Sequence, residues 1–213
     1  MTETETETGD ELIDRRRKVP IRTKLLFAFG TLQEATVTAG GIVTMLFYNQ
    51  VLGVSPALAG LAYLIVSIVD AVADPVVGLW SDRFQSRWGR RHPFMFFSAF
   101  PIAIGFYFLY QPINGLSETG LVVWLVIFFA VVRLGQTFYL IPHDALGAEL
   151  TNDYDDRTSI FGYNNVAEMI LSMVTVAILY LLIFPTVEEG KNGLLNEAGY
   201  VVMAWTGSIT IMF

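Results

Sequence analysis

The chain has 213 residues, of which 54% are hydrophobic and 15% charged, and its formal net charge is -7. A soluble domain is about 45–50% apolar and about 25% charged, so the excess points to membrane spans, and the acidic balance argues against a nucleic-acid partner. Cysteine is absent, which excludes a disulfide framework, a thiolate metal site and a cysteine nucleophile.

The chain opens with MTETETETGDELID, followed by the basic run at residues 15–18. A polar, acidic, low-complexity segment cannot bury enough apolar surface to order itself, so residues 1–20 read as a disordered tail, acidic and then basic. A hydrocarbon core about 30 Å thick needs about 20 apolar residues per helix. The remainder, 21–213, supplies such runs at about 24–48, 56–80, 93–112, 120–146 and 160–184. A sixth run starts near Tyr200 and reaches only Phe213, a partial span over 200–213. The expected fold is therefore an all-α membrane protein, a bundle of five full helices and a sixth cut short, and the chain reads as part of a longer protein. Turn residues fill the connections NQVLGVSP, RFQSRWGRRHP, QPINGLSETG, TNDYDDRTS and VEEGKNGLLNEAG.

Lysine and arginine lie on one side of this arrangement. Residues 15–18, Arg22 and Lys24 precede the first helix, and Arg83, Arg87, Arg90 and Arg91 sit between the second and third, whereas the opposite side has only Lys191. The expected N-terminus is cytoplasmic, in the plasma membrane. The loop after the fourth helix carries Glu149, Asp153, Asp155 and Asp156 against Arg157 on the same side; acids count little in this rule.

An ionised side chain at the bilayer centre costs about 2.5–3.5 kcal/mol on insertion scales, so each one inside an apolar run must face a cavity, a partner or an ion. Glu34 lies in the first helix. Asp70 and Asp74 lie in the second, Arg133 and Asp144 in the fourth, and Glu168 in the fifth. Asp70 and Asp74 are one turn apart on one helix face. They repel unless a proton or a hard cation joins them, which gives a Na+ or H+ site, with Ser67 near enough to add an oxygen. An ion pair with Arg133 that joins two helices is the other reading. Asp74 precedes Pro75, which frees a carbonyl and is expected to bend the helix. Gln33 and Glu34, among small residues that favour close packing, suit either hydroxyls of a polar solute or a helix interface in which Glu34 pairs with Arg133. Arg133 itself suits a buried acid or a substrate. Asp144 is eleven residues on, close to three turns, and shares its face. His143 is either a proton relay or a solvated residue. Asn164, Asn165 and Glu168 form a polar stripe that lines a cavity or joins helices. Tyr139 is the aromatic best placed to stack on a sugar.

No nucleotide-binding glycine loop, zinc site or Ser/His/Asp constellation is present, so no enzyme and no organic cofactor is expected. An ion gradient, of Na+ or H+, remains as the energy source.

The stretch DAVADPVVGLWSDRFQSRWGRRHPF, with TKLLFAFGTLQEA before it and IPHDALGAELTNDYDDRTS after the fourth helix, resembles the glycoside–pentoside–hexuronide cation symporters, the melibiose-permease-like branch of the major facilitator superfamily. The resemblance runs from about Ile21 to Ile183. It implies the N-terminal six-helix half of a twelve-helix fold, whose C-terminal six-helix half is not in this chain and whose sixth helix is truncated. It further implies sugar symport by alternating access, in a lipid bilayer, with a small-molecule solute such as a glycoside. Asp70 and Asp74 would bind the cation. Glu34, Gln33, Arg133, Tyr139, Asp144, Asn165 and Glu168 would face the solute. A cytoplasmic gate would comprise Gly78, Asp82, Arg83, Arg87, Gly89, Arg90 and Arg91. The chain departs from the pattern in two places: Asp144 falls two residues after Pro142, and Gln33 stands where the family has a basic residue. Lipid carriers share the loop motif, so an amphiphile is the alternative cargo. A non-transporting scaffold, or a fragment needing a partner half, is the alternative class.

Overall fold

Long apolar runs separated by short polar loops fold into seven α-helices among the described residues, 18–87, 89–185 and 193–212 of a computed structural model. The readings for the tail before Lys18, for Lys191 and for Phe213 lie outside the described residues. No strand occurs among those described.

The first run is not one helix. It divides into α1 (Ile21–Phe29) and α2 (Leu32–Leu46), with α2 continuing as a π-helical turn over Phe47–Val51. The break falls at Gly30 and Thr31, where glycine weakens the helix. The rest follow as α3 (Pro56–Arg83), α4 (His92–Leu109), α5 (Glu118–Glu149), α6 (Tyr154–Ile178, extended by a π-helical turn at Leu179–Ile183) and α7 (Glu197–Met212). Pro75 does not interrupt α3, nor Pro142 α5. The helix expected from 160 starts instead at Tyr154, because the Asp153 side chain caps it, accepting from the Asp156 amide at 2.8 Å. Ser117 does the same for α5, accepting from the Gly120 amide at 3.3 Å. Polar first turns outside the hydrocarbon are invisible to a hydropathy window but are stabilised by such caps.

α3, α4, α5 and α6 with its π-helical turn are long and apolar enough to cross a bilayer, which makes this a multi-pass membrane protein. In the bundle α3 packs on α5, α5 on α4, α4 on α7, and α7 on α2, while α1 and α2 pack on α6. α4 and α5 meet almost backbone to backbone: a Cβ on Gly135 would sit 2.4 Å from Ile102 Cγ1, the small-residue contact on which helices associate without a hydrophobic drive.

One end of the bundle gathers the start of α1, the α3–α4 loop and the α5–α6 loop, and is rich in arginine. The other end is held by buried tyrosines. Thr44 and Tyr110 share a hydrogen bond of 2.6 Å, Tyr48 donates to the Leu109 carbonyl at 2.8 Å, and Tyr200 donates to the Leu194 carbonyl at 2.8 Å. Each ring fills core volume; the Tyr48 and Tyr200 hydroxyls answer carbonyls at the ends of helical turns, and the Tyr110 hydroxyl pairs with that of Thr44.

Candidate ion and solute site

Asp70 and Asp74 lie on the face of α3 that meets α5. Opposite them α5 presents Arg133 and, one turn on, Thr137. The Thr137 hydroxyl lies 3.2 Å from Asp70 Oδ1 and 3.0 Å from Asp74 Oδ1, and 3.2 Å from its own helix's Arg133 carbonyl. One proton serves three acceptors, so two carboxylates and a hydroxyl converge with spare oxygen lone pairs. Arg133 donates through Nε at 3.1 Å, and also through Nη2, to Asp70 Oδ2. Asp70 is the shielded partner, with 13% of its side chain exposed against 44% for Arg133; Asp74 is open. Thr137, which the sequence reading did not single out, places its hydroxyl oxygen beside both carboxylates. Its spacing of four from Arg133 was the signal available in the sequence. Among the described residues no three His, Asp or Glu gather as for a divalent metal. Two carboxylates and a hydroxyl are a smaller ligand set than Ca2+ takes.

The break in the first run forms the next part of the wall. Carbonyls freed there are answered by side chains, as they must be at membrane depth. Tyr139 donates to the Gly30 carbonyl at 2.9 Å, His143 Nε2 lies 3.1 Å from the Phe27 carbonyl, and Thr31 donates to the Ala28 carbonyl at 2.8 Å. His143 is buried and stacks on Phe27 at 4.1 Å, so it is not the solvated residue that the sequence also allowed. Its Nδ1 faces Asp144 at 3.6 Å. Tyr139 stacks on His143, which occupies one ring face, while its hydroxyl is spent on the Gly30 carbonyl.

Glu34 stands within Coulombic reach of Glu168, Asp144, His143 and Arg133, so residues from α2, α5 and α6 do converge. It makes no ion pair with Arg133, whose partner is Asp70. Asn165 is exposed, and Asn164 is buried with its oxygen unpartnered. Gln33 turns away from Glu34: it is buried, with both amide ends unpartnered, and lines a cavity against α4 and α7 that Glu34 does not reach.

At the arginine-rich end, Arg91 donates to Glu149 Oε1 through Nη2 at 2.8 Å and Nε at 3.2 Å. The same Nη2 lies 3.3 Å from Asp82, and Arg90 lies 3.9 Å from Glu149. The start of α4 is thereby tied to the ends of α3 and α5. Gly89 takes a left-handed φ of 89°, with Ser86 donating to its carbonyl at 2.7 Å, a turn that suits glycine. Gly78 has open space beside it, the nearest atom to a Cβ there being Ile141 Cγ2 at 4.0 Å. Arg83 and Arg87 form no ion pair among the described residues. A second tie went unseen in the sequence. Buried Lys24 bonds Asp156 and, at 3.0 Å, Ser159, while Asp156 also accepts from the Val19 amide at 2.7 Å. That pair explains an acidic loop beside basic ones.

The comparisons agree with this architecture. The family model described as MFS/sugar transport protein matches residues 27–213. An uncharacterized symporter of Synechocystis sp. is 34% identical over 196 residues, covering 87% of this chain and 35% of that protein. The glucuronide carrier protein homolog of Escherichia coli is 28% identical over 78% of this chain and 35% of its own length. A sodium-dependent lysophosphatidylcholine symporter of Xenopus tropicalis is 27% identical over 76% of this chain and 31% of its own length. The chain thus spans about a third of the length of the curated relatives it matches. Its helices fit one half of the major facilitator fold, and the chain belongs to the MFS/sugar transport family, among symporters of the glycoside–pentoside–hexuronide type.

Proposed function

We propose that this chain supplies the N-terminal half of a secondary active transporter that moves a glycoside together with Na+ or H+ by alternating access. The observation that carries the reading is the meeting of Asp70, Asp74 and Thr137 on one spot opposite Arg133. Without the cation, Arg133 holds the charge of Asp70. A Na+ or a proton arriving between the carboxylates replaces that partner and lowers the field on the guanidinium, leaving it able to turn to the solute. The two readings of the sequence, ion site and ion pair, become two states of one site.

Charge favours a neutral solute. Arg133 is the only lysine or arginine between Arg91 and Arg157, and Glu34, within its reach, also faces Asp144 and Glu168. Carboxylates accept hydrogen bonds from sugar hydroxyls and repel an anionic sugar. Arg91, Arg90, Asp82 and Glu149 would form the gate, in the cytoplasm, of a plasma-membrane carrier completed by a second six-helix half; such ties break and re-form as two halves rock. The likeness to a lysophosphatidylcholine symporter supports an amphiphile as the second reading of the cargo.

The test is uptake of labelled neutral glycosides, hexuronides and lysophospholipids into vesicles of the full-length protein, with and without a Na+ or H+ gradient. Gradient-stimulated uptake of a neutral glycoside, lost in Asp70→Asn and Asp74→Asn with insertion intact, is expected. Normal uptake in both variants would refute the coupling role.

A further inference from the structure

The flank formed by α3, α4 and α5 carries a groove of about 470 Å³ that the ion and solute site does not use. Trp80, Phe84, Phe94, Phe97, Pro101 and Phe138 line it. Their rings brace one another: Trp80 meets Phe94 edge-on at 5.6 Å and Phe138 at 5.8 Å, and Phe84 meets Phe94 at 5.0 Å. The wall is therefore preformed, and a ligand need not order it. The groove opens outward, since Trp80 and Phe97 are more than half exposed. Its hydroxyl, that of Ser98, is spent on the Met95 carbonyl at 2.9 Å, which leaves an almost wholly apolar wall with little to hold the hydroxyls of a sugar.

The groove ends at the arginine-rich face. Phe84 is preceded by Arg83, the last residue of α3, and followed three residues later by Arg87, both exposed. Arg90 and Arg91 spend their charge on Glu149 and Asp82, whereas Arg83 and Arg87 have no acid among the described residues. The apolar slot therefore reaches Phe84, which is next in sequence to Arg83 and three residues before Arg87, whose charges no acid answers among the described residues. Guanidinium matches phosphate oxygens in a planar fork. A zwitterionic lipid offers its phosphate only with a cation attached.

We propose that this groove is a binding site for an anionic phospholipid of the surrounding bilayer, with an acyl chain against the aromatic wall and the phosphate on Arg83 and Arg87. The site lies on the α3–α4–α5 flank and shares no residue with the ion and solute site; Arg83 and Arg87, which the resemblance assigned to the gate, are here assigned to the lipid phosphate.

The test uses the whole chain in phosphatidylcholine vesicles. Trp80 fluorescence is read as the difference between the unsubstituted protein and Trp80→Phe, and the quenchers are brominated phosphatidylglycerol or brominated phosphatidylcholine at low mole fraction. At about 1 kcal/mol for each arginine near the surface, two arginines should favour the anionic lipid on the order of 10–30-fold. Arg83→Gln with Arg87→Gln, both exposed positions that leave the fold alone, should bring the two quenchers to within about twofold, and salt should weaken the preference in the unsubstituted chain. Equal quenching by the two lipids would overturn the proposal. So would a preference that survives the double substitution, because it would then belong to the basic face in general.

Discussion

Changing Asp70 and Asp74 to asparagine, one at a time, separates the ion pair from the ion site. Only Asp70 carries the Arg133 guanidinium, through two donors on one oxygen. Exposed pairs contribute about 0–1 kcal/mol, and breaking a fully buried pair costs about 3–5 kcal/mol. With Asp70 13% and Arg133 44% exposed, the pair falls between these limits, at about 1–3 kcal/mol. Asp70→Asn should therefore lower unfolding stability in detergent by about that amount, and Arg133→Gln on the same chain should restore part of it. Asp74→Asn keeps an oxygen for the Thr137 hydroxyl and leaves the pair intact, so its stability should change by no more than about 0.5 kcal/mol. Both single variants should abolish gradient-stimulated uptake. The assay is a double-mutant cycle on denaturant unfolding, run beside vesicle uptake. Equal destabilisation by the two aspartate changes would refute the assignment, as would a cycle that adds within about 0.3–0.5 kcal/mol.

The other ties give sharper contrasts. Glu149→Ala removes the acceptor of two Arg91 hydrogen bonds, whereas Asp82→Ala removes one contact at 3.3 Å from a largely exposed side chain; in counterflow assays Glu149→Ala should alter exchange rate more than Asp82→Ala, and both should leave solute affinity within about twofold. Lys24→Met strands Asp156, which is 2% exposed, so about 3–5 kcal/mol should be lost, with Asp156→Asn on the same chain recovering part of it; unchanged melting of the single variant would show that the pair does not fasten α1 to α6. Gly135→Ala drives a methyl into Ile102 and should cost about 1–3 kcal/mol, measured by thermal unfolding.

What the sequence disclosed follows from which forces act locally. The expense of a charge in hydrocarbon singled out Asp70, Asp74, Arg133 and Glu34 before any fold was known, because that cost depends on depth alone. Partners were another matter. Whether Arg133 met Asp70 or Glu34 depends on which helix faces which, and the contact that settles it spans 63 residues. Lys24 and Asp156, 132 residues apart, left no local trace at all. Gln33 and Glu34 are neighbours in sequence but about 100° apart around a helix, and so serve different cavities. The break at Gly30 escaped notice because one glycine in an apolar run is a weak signal; it persists because Tyr139 and His143, from another helix, answer the carbonyls it frees.

These contacts share one support. α5 carries Arg133 and Thr137 against α3, Tyr139 and His143 against the break between α1 and α2, and Glu149 against Arg91 at the start of α4. An α-helix is stiff along its axis and rises about 1.5 Å per residue, so the ion site and the arginine tie are about 24 Å apart on one rod. Releasing Arg133 from Asp70 removes a tether between α5 and α3, and any tilt or rotation of α5 that follows is imposed at once on the Gly30 break and on Glu149. Coupling of this kind needs no chain of side-chain relays, only a rigid element whose position both sites bias. It also locates the weak point of the device. Tyr139→Phe deletes the hydroxyl that joins α5 to Gly30 and leaves every ion ligand in place, so cation affinity should hold while the ratio of cation to solute transported drifts upward. A Tyr139→Phe protein that keeps tight stoichiometry would show that α5 moves independently of the break.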